Sequence, residues 1–167
     1  TVTRVTMLEA SMVPVVLVVF GIGMNVGNIV GSKLADSFLM GTIGSMMVLN
    51  MAVMTAFGLG AGNVWILMAT VFLVGCGFAA GPAVQTRLMD VAADGQTMAA
   101  ASMHSAFNVA NAIGAWLGGL VIAWGYGYAA TGYVGAVLSF LGLLVFCVSV
   151  WLERRNPSLR LAPPLPA

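Results

Sequence analysis

The chain has 167 residues, 60% of them hydrophobic and 7% charged, with a mean hydropathy of +1.03 and a net charge of +1. A soluble domain carries roughly 25% charged residues, so this composition excludes water as the solvent for most of the chain. The near-zero net charge excludes a basic surface for nucleic acid.

The charges mark the ends of apolar runs: Arg4 and Glu9, then Lys33 and Asp36, then Arg87, Asp90 and Asp94, and finally Glu153, Arg154, Arg155 and Arg160. The fold class that follows is all-α, a polytopic membrane helix bundle of about five spans. Residues 1–11 form an external segment. The start on Thr1, with no basic and short-apolar leader, predicts a fragment. The transmembrane bundle is expected over 12–152.

The first span covers about 12–34, with Pro14 in its first turn, where a missing N–H costs least. Gly23, Gly27 and Gly31 recur every four residues, a stripe that lets another helix approach its backbone. Asn25 and Asn28 lie about 130° away on the helix, so one face packs while the other meets something polar. The segment 31–36 is the first break, and the second span, 38–59, is rich in Met with a lone Asn50. Adaptable packing explains the methionines better than a binding wall does.

The third span, 64–88, contains Gly75, Gly77, Gly81 and Pro82, and the proline is expected to bend it. The fourth, 97–124, carries no Asp, Glu, Lys or Arg, yet it contains His104, Asn108 and Asn111. At about 100° per residue these three fall on one stripe, continued by Ala115 and Gly118, with Gly114 close by. Its aromatic end, Trp124, Tyr126 and Tyr128, suits a membrane interface. The fifth span, 132–152, is polar only at Ser139 and Ser149 and is expected to be peripheral and lipid-facing. The proline-rich tail, 153–167, is expected to be disordered.

His104, Asn108, Asn111, Asn25 and Asn28 are the candidate contacts to a substrate cavity or an interhelical seam. The same side chains also suit plain interhelical hydrogen bonds, worth about 0.6 kcal/mol each in a membrane bundle. Gly23, Gly27, Gly31, Gly114 and Gly118 are read as helix-packing positions. One His and two separated Cys do not reach a ligand set, so no metal site, disulfide or cofactor is predicted. Ser105 follows His104 directly, and adjacent helical residues diverge by about 100°, so the pair is not a catalytic dyad. No enzyme motif is present. With five spans the two ends lie on opposite sides. Lys33, Arg87, Arg154, Arg155 and Arg160 fall together against Arg4 alone, which predicts a cytoplasmic C-terminus.

Three stretches resemble the C-terminal half of a major facilitator superfamily transporter, of the bacterial drug and sugar efflux, arabinose efflux permease-like, proton antiporter branch. They are Phe20 to Asn28 leading into Gly31-Ser32-Lys33-Leu34-Ala35-Asp36, then Gln85 to Met89, then His104 to Asn108 through Gly114 to Gly119. The resemblance implies the eighth to twelfth helices of a twelve-helix fold in a bacterial inner membrane, working by alternating access. It implies as partners the lipid bilayer, a missing N-terminal half, a small-molecule substrate and protons. Gly31, Lys33 and Asp36 resemble the second copy of that family's cytoplasmic loop motif, although Ser37, Phe38 and Leu39 replace its usual basic run. No carboxylate lies within a span, so a proton-coupling acid would sit in the other half. The alternative is a membrane helical protein that does not transport and uses its glycine seams to assemble with a partner subunit.

Overall fold

The computed structural model describes residues 12–78, 80–92 and 95–155. The expected external segment 1–11 and the tail from 156 onward lie outside the described residues. Five α-helices follow one another: α1 (Val13–Gly60), α2 (Val64–Gly77), α3 (Ala80–Val91), α4 (Gln96–Ala123) and α5 (Ala130–Arg155). The described residues are 92% helical and contain no strand. Four stretches among the described residues are long and apolar enough to cross a membrane: Val13–Gly60, Val64–Val91, Gln96–Ala123 and Ala130–Arg155.

The first of these has 48 residues. Straight, it would measure roughly 72 Å, more than twice a hydrocarbon core of about 30 Å. It is not straight: Phe38 has non-helical dihedrals, φ −153° and ψ 71°. The packing shows that the chain reverses there. Gly27 lies against Cys76 and Asn50 against Gly77, so positions on either side of Phe38 sit at one level of α2. Two arms result, 13–37 and 39–60, each long enough to span.

The break expected at 31–36 is therefore helical, and the corner falls at Phe38 instead. The reason is local. The Phe38 ring occupies the space that a Cβ on Gly41 would take, so a missing side chain one turn later makes room for the corner. Ser37 Oγ donates to the Leu34 carbonyl at 3.0 Å, and Thr42 Oγ1 donates to the Phe38 carbonyl at 2.9 Å. These side chains satisfy carbonyls at a point where the backbone ladder is interrupted.

The first arm and α2 meet backbone to backbone. A Cβ on Gly27 would lie 2.5 Å from the Cys76 carbonyl oxygen, and one on Gly75 2.5 Å from that of Phe20. Gly23 meets the Phe72 carbonyl in the same way, and Gly31 is buried further along the stripe. The second arm and α5 form another close seam, where a Cβ on Gly132 would lie 2.7 Å from both the Gly58 nitrogen and the Met54 carbonyl oxygen. Within lipid, such approaches favour association through dispersion contacts between backbones, because burial from water offers little there.

The third span is not one bent helix but two. Helix α2 begins at an Asn63 cap, whose side chain accepts from the Trp65 N–H at 2.9 Å, and ends at Gly77. Helix α3 begins at Ala80, which places Pro82 in its first turn, where proline is tolerated. Tight turns cover the interruption: Phe78 N–H donates to the Gly75 carbonyl at 3.1 Å, and Gly81 N–H to the Phe78 carbonyl at 3.0 Å.

One end of the bundle collects the charges. Arg87 at the exit of α3 pairs with Glu153 of α5 at 2.7 Å, both partly buried, and Met40 beside the Phe38 corner shares a crevice with Arg87. Helix α5 continues to Arg155, whose guanidinium lies 4.0 Å over the Trp151 ring. Among the described residues the opposite end carries no charge and is aromatic, with Trp65, Trp124 and Tyr126 all strongly exposed. There Gly125 and Gly127 take φ of 85° and 80°, left-handed values that favour glycine and turn α4 into α5.

Candidate functional site

Helix α4 packs lightly. Its half-buried positions include Met103, Gly114, Leu117 and Val121, which lie on one face, and no residue of the helix is buried. His104, Asn108 and Asn111 are all exposed, rotated from that face by roughly 100°. The stripe thus points into space that no described residue fills. Ser105 donates from Oγ to the Ala101 carbonyl at 3.0 Å, a bond within its own helix that leaves it apart from His104.

Asn25 and Asn28 are exposed on the first arm of α1, on the side away from its glycine seam. The Asn25 amide donates to the Gly21 carbonyl at 2.9 Å, again within one helix. These two groups of polar residues stand on different helices, and Phe78 lies between them. Its ring is 5.9 Å from Phe20 of α1 in an edge-to-face arrangement and 6.2 Å from Phe107 of α4.

The glycines divide into two sets. Gly23 and Gly27 meet α2 directly, whereas a Cβ on Gly114 would meet nothing within 4 Å and one on Gly118 only Thr131 Cγ2 at 3.8 Å. The α4 glycines are therefore open where the α1 glycines are closed. Lys33 and Asp36 are exposed on the last turns of the first arm, with Gly31 buried one turn earlier.

Sequence reasoning did not single out the cavity at the interruption between α2 and α3. It has a volume of about 330 Å³ and touches every helix, with Asn50, Phe78, Phe107 and Ser139 among its walls. Asn50 was visible as the one amide of an apolar run, but its neighbour Gly77, at the end of α2, became apparent only in three dimensions. Ser139 belongs to the span expected to face lipid alone. Instead, α5 offers Gly132, buried, and Gly135 and Ser139 to the bundle interior.

Comparison with known proteins gives the family. The sequence profile of the Major Facilitator Superfamily matches residues 2–167. The chain is 35% identical over 146 residues to the inner membrane transport protein YdhP of Escherichia coli K12, covering 87% of this chain and 37% of that protein. It is 32% identical over 141 residues to YfhI of Bacillus subtilis, described as an uncharacterized MFS-type transporter, covering 84% of this chain and 36% of that protein. The chain thus spans little more than a third of the length of these curated relatives. No solved structure matches it.

Proposed function

Because the chain belongs to the major facilitator superfamily, we propose that it is the C-terminal portion of an inner-membrane transporter that exports small molecules by proton-coupled alternating access. The observation that carries this reading is the stripe of His104, Asn108 and Asn111, turned about 100° from the packed face of α4. Hydrogen-bonding groups facing open space within a spanning helix suit a water-filled cavity or a companion bundle, not acyl chains. Gly114 and Gly118 of the same helix, where a Cβ would meet nothing closer than 3.8 Å, suit a moving seam between two such bundles.

In this reading a seventh helix and a six-helix N-terminal bundle complete the transporter, and its two halves rock about a site near the midplane. His104 and the amides hydrogen-bond a polar part of the substrate. The carboxylate that couples proton flow lies outside these spans, since the acids among the described residues, Asp36, Asp90 and Glu153, gather at the charged end. That end is cytoplasmic, with Lys33, Arg87, Arg154 and Arg155 as its orienting charges. The E. coli relative's description as an inner membrane transport protein supports both the location and the class.

The test is export. His104, Asn108, Asn111, Asn25 and Asn28 are each replaced by Ala in the complete transporter, and efflux is measured in cells. A drop of about tenfold in at least one α4 variant is expected, equivalent to about 1.4 kcal/mol. Unchanged efflux in all five removes these residues from the transport path.

A further inference from the structure

Helix α5 has two faces. Gly132, Gly135 and Gly142 lie on the one that meets the second arm of α1, at Gly58, Met54 and Met47. Roughly opposite, Tyr133, Val137, Phe140, Leu144, Val148 and Trp151 are all exposed and fall within about 80° of one another at about 100° per residue. Between its aromatic ends this stripe carries no hydrogen-bonding side chain, whereas the exposed stripe of α4 carries His104, Asn108 and Asn111. Tyr133 and Trp151 stand roughly 27 Å apart along the helix at about 1.5 Å per residue, close to a hydrocarbon core of about 30 Å. An unbroken apolar stripe of that length suits acyl chains, with its two amphipathic rings at the interfaces.

Beyond Trp151 the helix reaches headgroup depth, and there its free charge has one sign. Arg154 and Arg155 are both exposed and lie to either side of the Trp151 direction. The neighbouring acid, Glu153, is turned inward to Arg87 at 2.7 Å. The Arg155 guanidinium lies 4.0 Å over the Trp151 ring, which holds its planar fork at the surface. One turn below Arg154, a crevice of about 250 Å³ is lined by Phe146, Cys147, Val150 and Trp151, with Arg154 at its rim. Guanidinium forks match phosphate oxygens, so two arginines above an apolar crevice complement a molecule that is anionic at one end and aliphatic at the other.

We propose that the end of α5 is a binding site for an anionic phospholipid such as phosphatidylglycerol. The phosphate is held by Arg154 and Arg155, and the upper part of one acyl chain lies in the crevice against Val150 and Trp151. This goes beyond the transport reading, because it requires only that the outer stripe of α5 faces lipid.

The complete transporter is purified in detergent and titrated with phosphatidylglycerol or phosphatidylcholine of identical acyl chains, and bound lipid is counted by native mass spectrometry. The first phosphatidylglycerol is expected to bind at least about tenfold more tightly than the first phosphatidylcholine, since both arginines attract an anionic headgroup and a zwitterion offers no net charge. Arg154→Gln combined with Arg155→Gln should abolish that preference. Val150→Trp fills the crevice without touching the charges, and it should weaken phosphatidylglycerol binding severalfold. Equal binding of the two lipids, as expected if the N-terminal half covers this face, would overturn the proposal. So would an undiminished preference in the folded double-arginine variant, undiminished affinity in folded Val150→Trp protein, or displacement of the lipid by an equal concentration of inorganic phosphate. If a variant does not fold, the wild-type comparison decides the matter. Lipid counting is independent of efflux: failure here leaves the export result standing, and failure of export leaves the lipid preference intact.

Discussion

Replacing Gly27 with alanine adds one methyl group where the first arm of α1 and α2 meet backbone to backbone. That methyl carbon would lie 2.5 Å from the Cys76 carbonyl oxygen and 2.6 Å from the Cys76 Cα. Ordinary contact begins near 3.4 Å. The obstructing atoms are backbone, with no rotamer to swing away, so the helices must separate by roughly 0.8 Å, and overpacking of this kind costs about 1–3 kcal/mol. Alanine is also a better helix former than glycine by up to about 1 kcal/mol, which would mask part of the loss. Gly21→Ala supplies the correction, since it lies on the same arm and its Cβ meets nothing within 4 Å. Both variants of the complete transporter are unfolded thermally in detergent. The Gly27 variant should come out about 1–3 kcal/mol less stable than the Gly21 variant. Equal stability would mean that the glycine stripe does not hold the two helices in contact.

Two further outcomes follow from the packing. Arg87→Ala, Glu153→Gln and the double variant form a thermodynamic cycle; because the pair is only partly buried, a coupling of about 1 kcal/mol is expected, falling with added salt. Zero coupling would make the contact incidental. Gly132→Val forces a branched side chain onto the backbone of the second arm, where even a Cβ lies 2.7 Å from two backbone atoms, and folded yield should fall severalfold. Size-exclusion chromatography against Gly62→Ala, a substitution at an exposed turn, reads the difference.

Local rules carried the bundle far but misplaced its joints. Lys33 and Asp36 promised a loop because charge avoids hydrocarbon. A helix whose last turns reach the interface keeps those charges wet without unwinding, so the chain turned instead at Phe38, where Gly41 leaves room for the ring. Pro82 promised a bend at its own position. The interruption lies before it, since proline fits the first turn of a new helix better than the interior of an old one. For α5, hydropathy could not distinguish a lipid-facing helix from one with glycines closing on a neighbour, because both are apolar throughout.

Composition and the spacing of charges determined by themselves that this chain lies in hydrocarbon as a succession of helices. Backbone hydrogen bonds left without water have no other economical arrangement. The same one-dimensional pattern placed His104, Asn108 and Asn111 on one stripe, because helical periodicity is a local property. Tertiary structure decided which stripes are closed and which are open. Gly27 and Gly75 meet while Gly114 meets nothing, and Asn50 finds the break in α2–α3 from another span. Contact between helices depends on how several backbones share space, and the periodicity of one helix holds no information about its neighbour.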